Sequence, residues 1–86
     1  MSRPIHDIAR EIKALWAKPY FGAVPYIDAM LSLQTASDFF IADSGESIIL
    51  YFLANAATWR GPDAKRIKAE LKDALKELKG SVRVRQ

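Results

Sequence analysis

The sequence predicts an all-α fold, in which a compact bundle of about four helices surrounds a buried central helix. The first observation is the unbroken apolar run of residues 48–53, followed by the good helix formers Ala54, Ala56 and Ala57. A helix that is apolar on every side must be buried on most sides, so we expect the other segments to pack against it. The second observation is that the flanking segments repeat apolar residues every three to four positions, as amphipathic helices do.

Length and composition indicate a single small domain. The chain has 86 residues, half of them apolar, and no cysteine, which excludes disulfides and thiolate metal sites. We expect a helical domain over residues 1–80 and a frayed basic tail over residues 81–86. No secretory signal follows Met1, and no apolar run approaches the roughly 20 residues that span a bilayer, so a cytoplasmic location without membrane contact is predicted.

The first helix is predicted from Pro4 to Ala17, with Ser2 as a candidate N-cap. Lys18 ends this helix, because a residue before proline is displaced from the α region. The apolar residues of the helix recur at helical spacing and form one face: Ile5, Ile8, Ile12, Leu15 and Trp16.

The loop after the first helix has the least ordinary composition in the chain. Two prolines and a glycine restrict a segment that carries the aromatic residues Tyr20, Phe21 and Tyr26. One interpretation is that these rings tuck under the loop and cover the core. The other is that a rigid turn presents them to a partner, because Tyr and Phe supply much contact area at low entropic cost.

A second helix is predicted from Pro25 to about Gln34 or Ala36. The apolar residues 39–41 that follow it are interpreted as one further helical turn rather than an extended segment. The short apolar face of the second helix consists of Tyr26, Ile27, Met30, Leu31 and Leu33.

The central helix is predicted to be capped by residues 43–46. Either Asp43 and Glu46 form a capping box or Ser44 caps the helix directly. Asn55 is the one polar residue inside this helix, and we expect it to hydrogen-bond a neighbouring helix end, because a buried amide without a partner is costly.

The last helix has the clearest periodicity. It is predicted to begin near Pro62, which suits a first helical position, and to end near Gly80. Its apolar stripe consists of Ala64, Ile67, Leu71, Ala74, Leu75 and Leu78.

Positive charge is concentrated toward the C-terminus. Residues 1–60 carry five Lys/Arg against six Asp/Glu, a net charge of −1, whereas residues 61–86 carry eight against four, a net charge of +4. The third helix, the turn at residues 60–62 and the basic fourth helix outline a helix-turn-helix, and acidic residues make its surface mixed rather than a basic stripe. DNA binding is therefore the alternative function, with Arg60, Lys65, Arg66 and Lys68 as candidate contacts.

The sequence contains no recognisable catalytic motif. The carboxylates are single residues on predicted helix faces, the glycines are isolated rather than grouped in a phosphate-binding loop, and His6 is the only histidine. We therefore predict that the protein is not an enzyme and has no catalytic residue, cofactor or metal site. His6 is interpreted as a surface residue.

A protein partner is the preferred interpretation. The chain carries more aromatic material than a domain of this size easily hides. The stripe of the last helix also approximates an a/d seam, which is compatible with a homodimer. The candidate protein-binding residues are Tyr20, Phe21, Tyr26, Trp59 and Arg60.

Two stretches of the chain resemble small uncharacterised proteins encoded by bacteriophages of actinobacterial hosts. They are KPYFGAVPYIDAM at Lys18–Met30 and SIILYFLANAATWRGPDAKRIKAELK at Ser47–Lys72, and the similarity covers roughly residues 5–75. The resemblance brings no functional motif or binding residue with it. It implies a phage-encoded accessory protein in the host cytoplasm that acts on a host or phage protein.

Overall fold

The computed structural model describes residues 3–40 and 43–84, with the side chains of residues 39, 40 and 78–84 outside that description. It confirms the all-α class, with four α-helices, one 3₁₀ turn and one minimal hairpin. In chain order the elements are α1 (Ile5–Leu15), the 3₁₀ turn (Phe21–Ala23), α2 (Val24–Met30), β1 (Phe39–Phe40), β2 (Asp43–Ser44), α3 (Gly45–Ala54) and α4 (Pro62–Val84). No helix within the described ranges combines the length and the apolar character that a membrane crossing requires.

The core lies where the apolar faces of the four helices meet. The residues of the predicted faces of α1 and α4 whose side chains are described are buried, except that Leu15 at the end of α1 is 41% exposed. The largest fully buried side chains come from α1, α2 with the turn after it, α3 and α4: Ile5, Ile8, Ile12, Met30, Leu33, Ile49, Phe52, Ile67 and Leu71.

The start of α1 is held by the chain segment that follows α2. The N–H groups of Ile5 and His6 donate to the carbonyl oxygens of Gln34, at 2.9 Å, and Leu33, at 2.8 Å. Pro4 occupies the N-cap position, and the predicted cap Ser2 lies outside the described residues. The free N–H groups at the start of a helix are often capped by a side chain, and here backbone carbonyls of the segment after α2 take that role.

The prediction that α2 reaches Gln34 or Ala36 is wrong, because Asp38 closes a turn there. Its carboxylate accepts the N–H groups of Gln34, at 2.9 Å, and Thr35, at 3.1 Å. These bonds lower the pKa of Asp38 below its usual range. Helix α2 ends at Met30, where the following N–H groups of Ser32 and Leu33 bond three residues back, and the carboxylate then takes donors that a continuing helix would use internally.

The predicted helical turn at residues 39–41 is also wrong. Phe39 and Phe40 form a strand antiparallel to β2, with Phe39 opposite Ser44 and Phe40 opposite Asp43. Ile41 lies outside the described residues. The hairpin leads directly into α3. Ser44 caps this helix, because its Oγ accepts a hydrogen bond from the Ser47 N–H at 3.2 Å.

The central helix differs from its prediction in length and in burial. Helix α3 ends at Ala54 with Asn55 as its C-cap, so Ala56 and Ala57, which were predicted to extend it, lie beyond its end. The Asn55 side chain donates to the Tyr51 carbonyl of the same helix at 2.8 Å, not to a neighbouring helix end. Ile49 and Phe52 face the core, but Leu50 is 49% exposed, so one side of this apolar helix faces solvent.

Two further boundaries differ. Helix α1 ends at Leu15 rather than Ala17. Helix α4 continues through Gly80 to Val84, so the predicted boundary between a domain and a tail at residue 80 is not a helix end. Residues 85–86 of the predicted tail, and the side chain of Leu78, lie outside the description.

Candidate interaction surface

Two aromatic side chains of the loop after α1 are exposed. Tyr20 is 44% and Phe21 is 79% exposed, and their ring centroids are 4.8 Å apart. Phe21 begins the 3₁₀ turn, which runs directly into α2. The rings therefore stand on a short, hydrogen-bonded turn rather than on a long loop, and they do not cover the core.

The exposed side of α3 adds a second pair of rings. Tyr51 is 54% exposed, and its ring centroid is 5.5 Å from that of the half-buried Tyr26 on α2. Asn55, one turn after Tyr51, connects the two pairs. A Cβ atom placed on Gly22 would lie 2.6 Å from the Tyr20 ring and 2.9 Å from the Asn55 Oδ1, so this ring and this amide are neighbours.

We call this set of residues the aromatic surface: Tyr20, Phe21, Tyr26, Tyr51 and Asn55. It contains all three tyrosines of the chain and no charged residue. Sequence reasoning missed Tyr51, because it treated the central helix as buried. The available signal was the spacing of Ser47, Tyr51 and Asn55, which places two polar residues in line with this tyrosine at intervals of one turn.

Trp59 does not belong to the aromatic surface. It is 6% exposed, and its ring stacks on that of Trp16 at a centroid distance of 5.3 Å and an interplanar angle of 9°. Trp16 in turn meets the Phe52 ring edge-on at 6.3 Å. The prediction of Trp59 as an exposed binding residue is therefore corrected, because its ring is part of the core.

Arg60 lines a different feature, an open cleft of about 470 Å³ at the start of α4. Lys65 and Lys68 share this cleft with Arg60, and the Lys68 Nζ donates to the Trp59 carbonyl at 2.7 Å. Burial and the like charges of Lys72 and Arg60 lower the pKa of Lys68. The complete lining is Ala57, Trp59, Arg60, Gly61, Pro62, Lys65 and Lys68.

Arg66 stands apart from the other candidate nucleic-acid contacts. Its guanidinium binds Glu11 at 2.8 Å and Asp63 at 3.2 Å, and these contacts raise the pKa of Arg66. The structure thus brings Arg60, Lys65 and Lys68 together and directs Arg66 toward α1.

No metal site emerges from the described side chains. Residues 3–40 and 43–84 contain no group of three His, Asp or Glu residues placed to hold a metal ion. The His6 Nδ1 lies 3.2 Å from the Asp7 carboxylate on the partly exposed first turn of α1. A neighbouring arginine, Arg10, binds the same carboxylate at 2.7 Å.

Comparison of this chain with known protein families, with curated proteins and with solved structures finds no match. Function is therefore inferred from the two surfaces themselves.

Proposed function

We propose that this protein is a small non-enzymatic interaction module that binds a partner protein through the aromatic surface. The observation that supports this most is the exposure of Phe21, at 79%, on a surface that also carries Tyr20 and Tyr51, each about half exposed. Large exposed rings grouped on one face are unusual on a protein that functions alone, and aromatic residues supply much of the energy of protein interfaces.

The composition of the surface indicates the kind of partner. The aromatic surface offers ring faces, three tyrosine hydroxyls and one amide, but no charge. A charged partner surface would lose hydration there without gaining an ion pair. We therefore expect a partner with an apolar patch and a few polar groups, held mainly by burial of Phe21 and Tyr51.

The resemblance of the chain to phage-encoded proteins suggests where such a partner would be found. If the gene is carried by a phage, the partner is a host or phage protein in the bacterial cytoplasm. A second copy of the same chain is the other occupant to test, since one uncharged aromatic face can pair with itself.

The first experiment is affinity capture from host lysate with the full chain as bait, with and without nuclease. We expect one protein to be recovered in both conditions, and Phe21→Ala and Tyr51→Ala each to weaken its binding by about tenfold or more. Because most of the Phe21 side chain is exposed, Phe21→Ala should leave the midpoint of unfolding nearly unchanged. Sedimentation of the purified chain tests self-association of the same variants.

Leu15→Ala is the matched control. Leu15 is an exposed apolar residue, 41% accessible, on α1 and outside the aromatic surface. It should leave binding unaltered. Equal recovery of the partner by wild type, Phe21→Ala and Tyr51→Ala would refute the proposed surface.

The alternative, DNA binding as a helix-turn-helix, has less support. Helices α3 and α4 are separated by residues 55–61, a longer connection than the three- or four-residue turn of that motif. One of its four candidate contacts, Arg66, is held by Glu11 and Asp63. Recovery of nucleoid proteins that disappears on nuclease treatment, with no partner recovered in both conditions, would favour nucleic-acid binding over binding of a protein by the aromatic surface.

A further inference from the structure

The charges of α4 separate into two flanks, although the sequence suggested a mixed surface. One flank carries only lysines at spacings of three and four: Lys65, Lys68, Lys72 and Lys76. The other flank carries Asp63, Arg66, Glu70, Asp73 and Glu77. At 100° per residue, no acidic residue between Pro62 and Glu77 falls on the lysine flank. We call the lysine flank together with Arg60 the basic face.

The two flanks also differ in their ion pairs. On the acidic flank, Glu70 binds Arg3 and Asp63 binds Arg66. On the basic face, Arg60, Lys65 and Lys72 make no ion pair with any residue that the structure describes. Positive charge on this side of the helix is therefore not neutralised by the side chains that the structure describes.

The cleft at the start of α4 lies within the basic face. Three cationic side chains and no carboxylate line it. Lys68 uses one donor on the Trp59 carbonyl, which fixes its ammonium at the cleft wall and leaves two further N–H donors. Burial and the neighbouring cations Lys72 and Arg60 lower the pKa of Lys68, and an anion bound in the cleft would offset the repulsion among these cations.

From the cleft the basic face continues along the helix as a line of cations. Lys65 and Lys76 are separated by a rise of about 16 Å, the length occupied by about five phosphates on one strand of B-form DNA. A single free anion would fill the cleft but leave Lys72 and Lys76 without a partner. A polymer of regularly spaced phosphates matches the whole face.

We propose that the basic face of α4 binds the phosphate backbone of a nucleic acid, with one phosphate seated in the cleft between Arg60, Lys65 and Lys68. Such binding reads no bases, since lysine ammonium groups contact phosphates as point charges. It differs from the helix-turn-helix interpretation in its residues, which include Lys72 and Lys76 and exclude Arg66. It is also independent of the aromatic surface.

The test is fluorescence anisotropy of the full chain with a labelled single strand and a labelled duplex, each about 20 nucleotides long, between about 50 and 200 mM salt. We expect binding that weakens with salt and differs little between sequences. Lys65→Gln and Lys72→Gln should each weaken binding and reduce the salt slope by about 0.7–0.9. Both lysines are exposed, so neither variant should affect folding.

Arg66→Gln is the matched control, since it removes one positive charge from the same helix beside Lys65. It should leave the salt slope unchanged. Equal losses for Arg66→Gln and Lys65→Gln would reduce the effect to net charge and overturn the proposal. Binding of pyrophosphate without binding of either oligonucleotide would overturn the nucleic-acid occupant. We expect Phe21→Ala to bind the oligonucleotides as the wild type does, which would show that the basic face acts independently of the aromatic surface.

Discussion

At the scale of single residues, Gly45 is the described glycine at which an added Cβ atom would come closest to other backbone atoms. Its N–H donates to the Asp38 carbonyl at 2.6 Å. A Cβ atom at this position would lie 2.8 Å from the Ala36 carbonyl oxygen and 3.0 Å from that of Thr35. Both neighbours are backbone atoms of the loop that holds the start of α1, so they cannot rotate away.

We therefore expect Gly45→Ala to destabilise the protein by about 1–3 kcal/mol, the usual cost of overpacking. Gly22→Ala is the control, because its Cβ would meet only the ends of the Tyr20 and Asn55 side chains, which can move. Urea unfolding followed by circular dichroism measures both variants. A Gly45→Ala protein as stable as Gly22→Ala would contradict the close approach seen here.

At the scale of helices, α1 and α4 are joined by charge as well as by apolar contact. The Arg3 guanidinium donates twice to Glu70, at 2.8 Å each, and once to Glu11, at 2.7 Å. Arg66 binds the other oxygen of Glu11 at 2.8 Å. These contacts lower the pKa of Glu11 and of Glu70. They also hold Arg3, just before α1, against α4.

Replacing Arg3 should weaken this connection measurably but modestly. Arg3→Ala is expected to cost about 0.5–1 kcal/mol of unfolding free energy, since the pairs are partly exposed. The difference from wild type should shrink in about 1 M salt, where exposed pairs are screened. Arg10→Ala, which removes contacts with Asp7 and His6 on the surface of α1, should have a smaller effect. A loss for Arg3→Ala that is independent of salt would show that packing, not charge, holds the two helices.

Helices with one buried face were predictable from the sequence, and features set by distant residues were not. In α1 and α4 the apolar residues recur every three to four positions, and this period can be counted in the sequence. The exposed side of α3 gives a weaker signal, since the exposed Leu50 is as apolar as the buried Ile49 and only the line of Ser47, Tyr51 and Asn55 marks that side. The end of α2 depends on a carboxylate from a later turn, and local propensity cannot report that contact.

The candidate site was predictable to the same extent. The proline-bounded loop identified Tyr20 and Phe21, whose exposure follows from a rigid turn. Trp59 was assigned to the surface because its partner Trp16 is far away in sequence and their stack cannot be read from either segment. The spacing of the charged residues alone predicts the separation of charge on α4. Counting the acidic residues of this helix without assigning each to a side of it led to the prediction of a mixed surface.

At the scale of the whole molecule, three carboxyl groups link stability to pH. Hydrogen bonds hold the pKa values of Glu11, Asp38 and Glu70 below their usual range. A folded-state pKa below the unfolded value means that the stabilisation is complete above the unfolded pKa, about 3.9 for Asp and 4.3 for Glu, and is lost as pH falls through the folded values.

We expect the unfolding temperature to stay nearly constant from about pH 7 to pH 5 and to fall progressively below about pH 4. Calorimetry over this range provides the measurement. Arg3→Ala should show a shallower decline, because Glu11 and Glu70 lose a partner in that variant. An unfolding temperature that rises on acidification from pH 5 to pH 3 would contradict the assigned carboxylate contacts.

The division of the aromatic residues has a practical consequence. Both tryptophans lie in the core, stacked on each other, whereas all three tyrosines lie on the aromatic surface. Indole emission therefore reports the integrity of the interior, and phenol-selective labelling reports whether the exterior is covered. The wild-type chain can thus yield an optical signal for unfolding and a chemical signal for complex formation, without a substitution to introduce either.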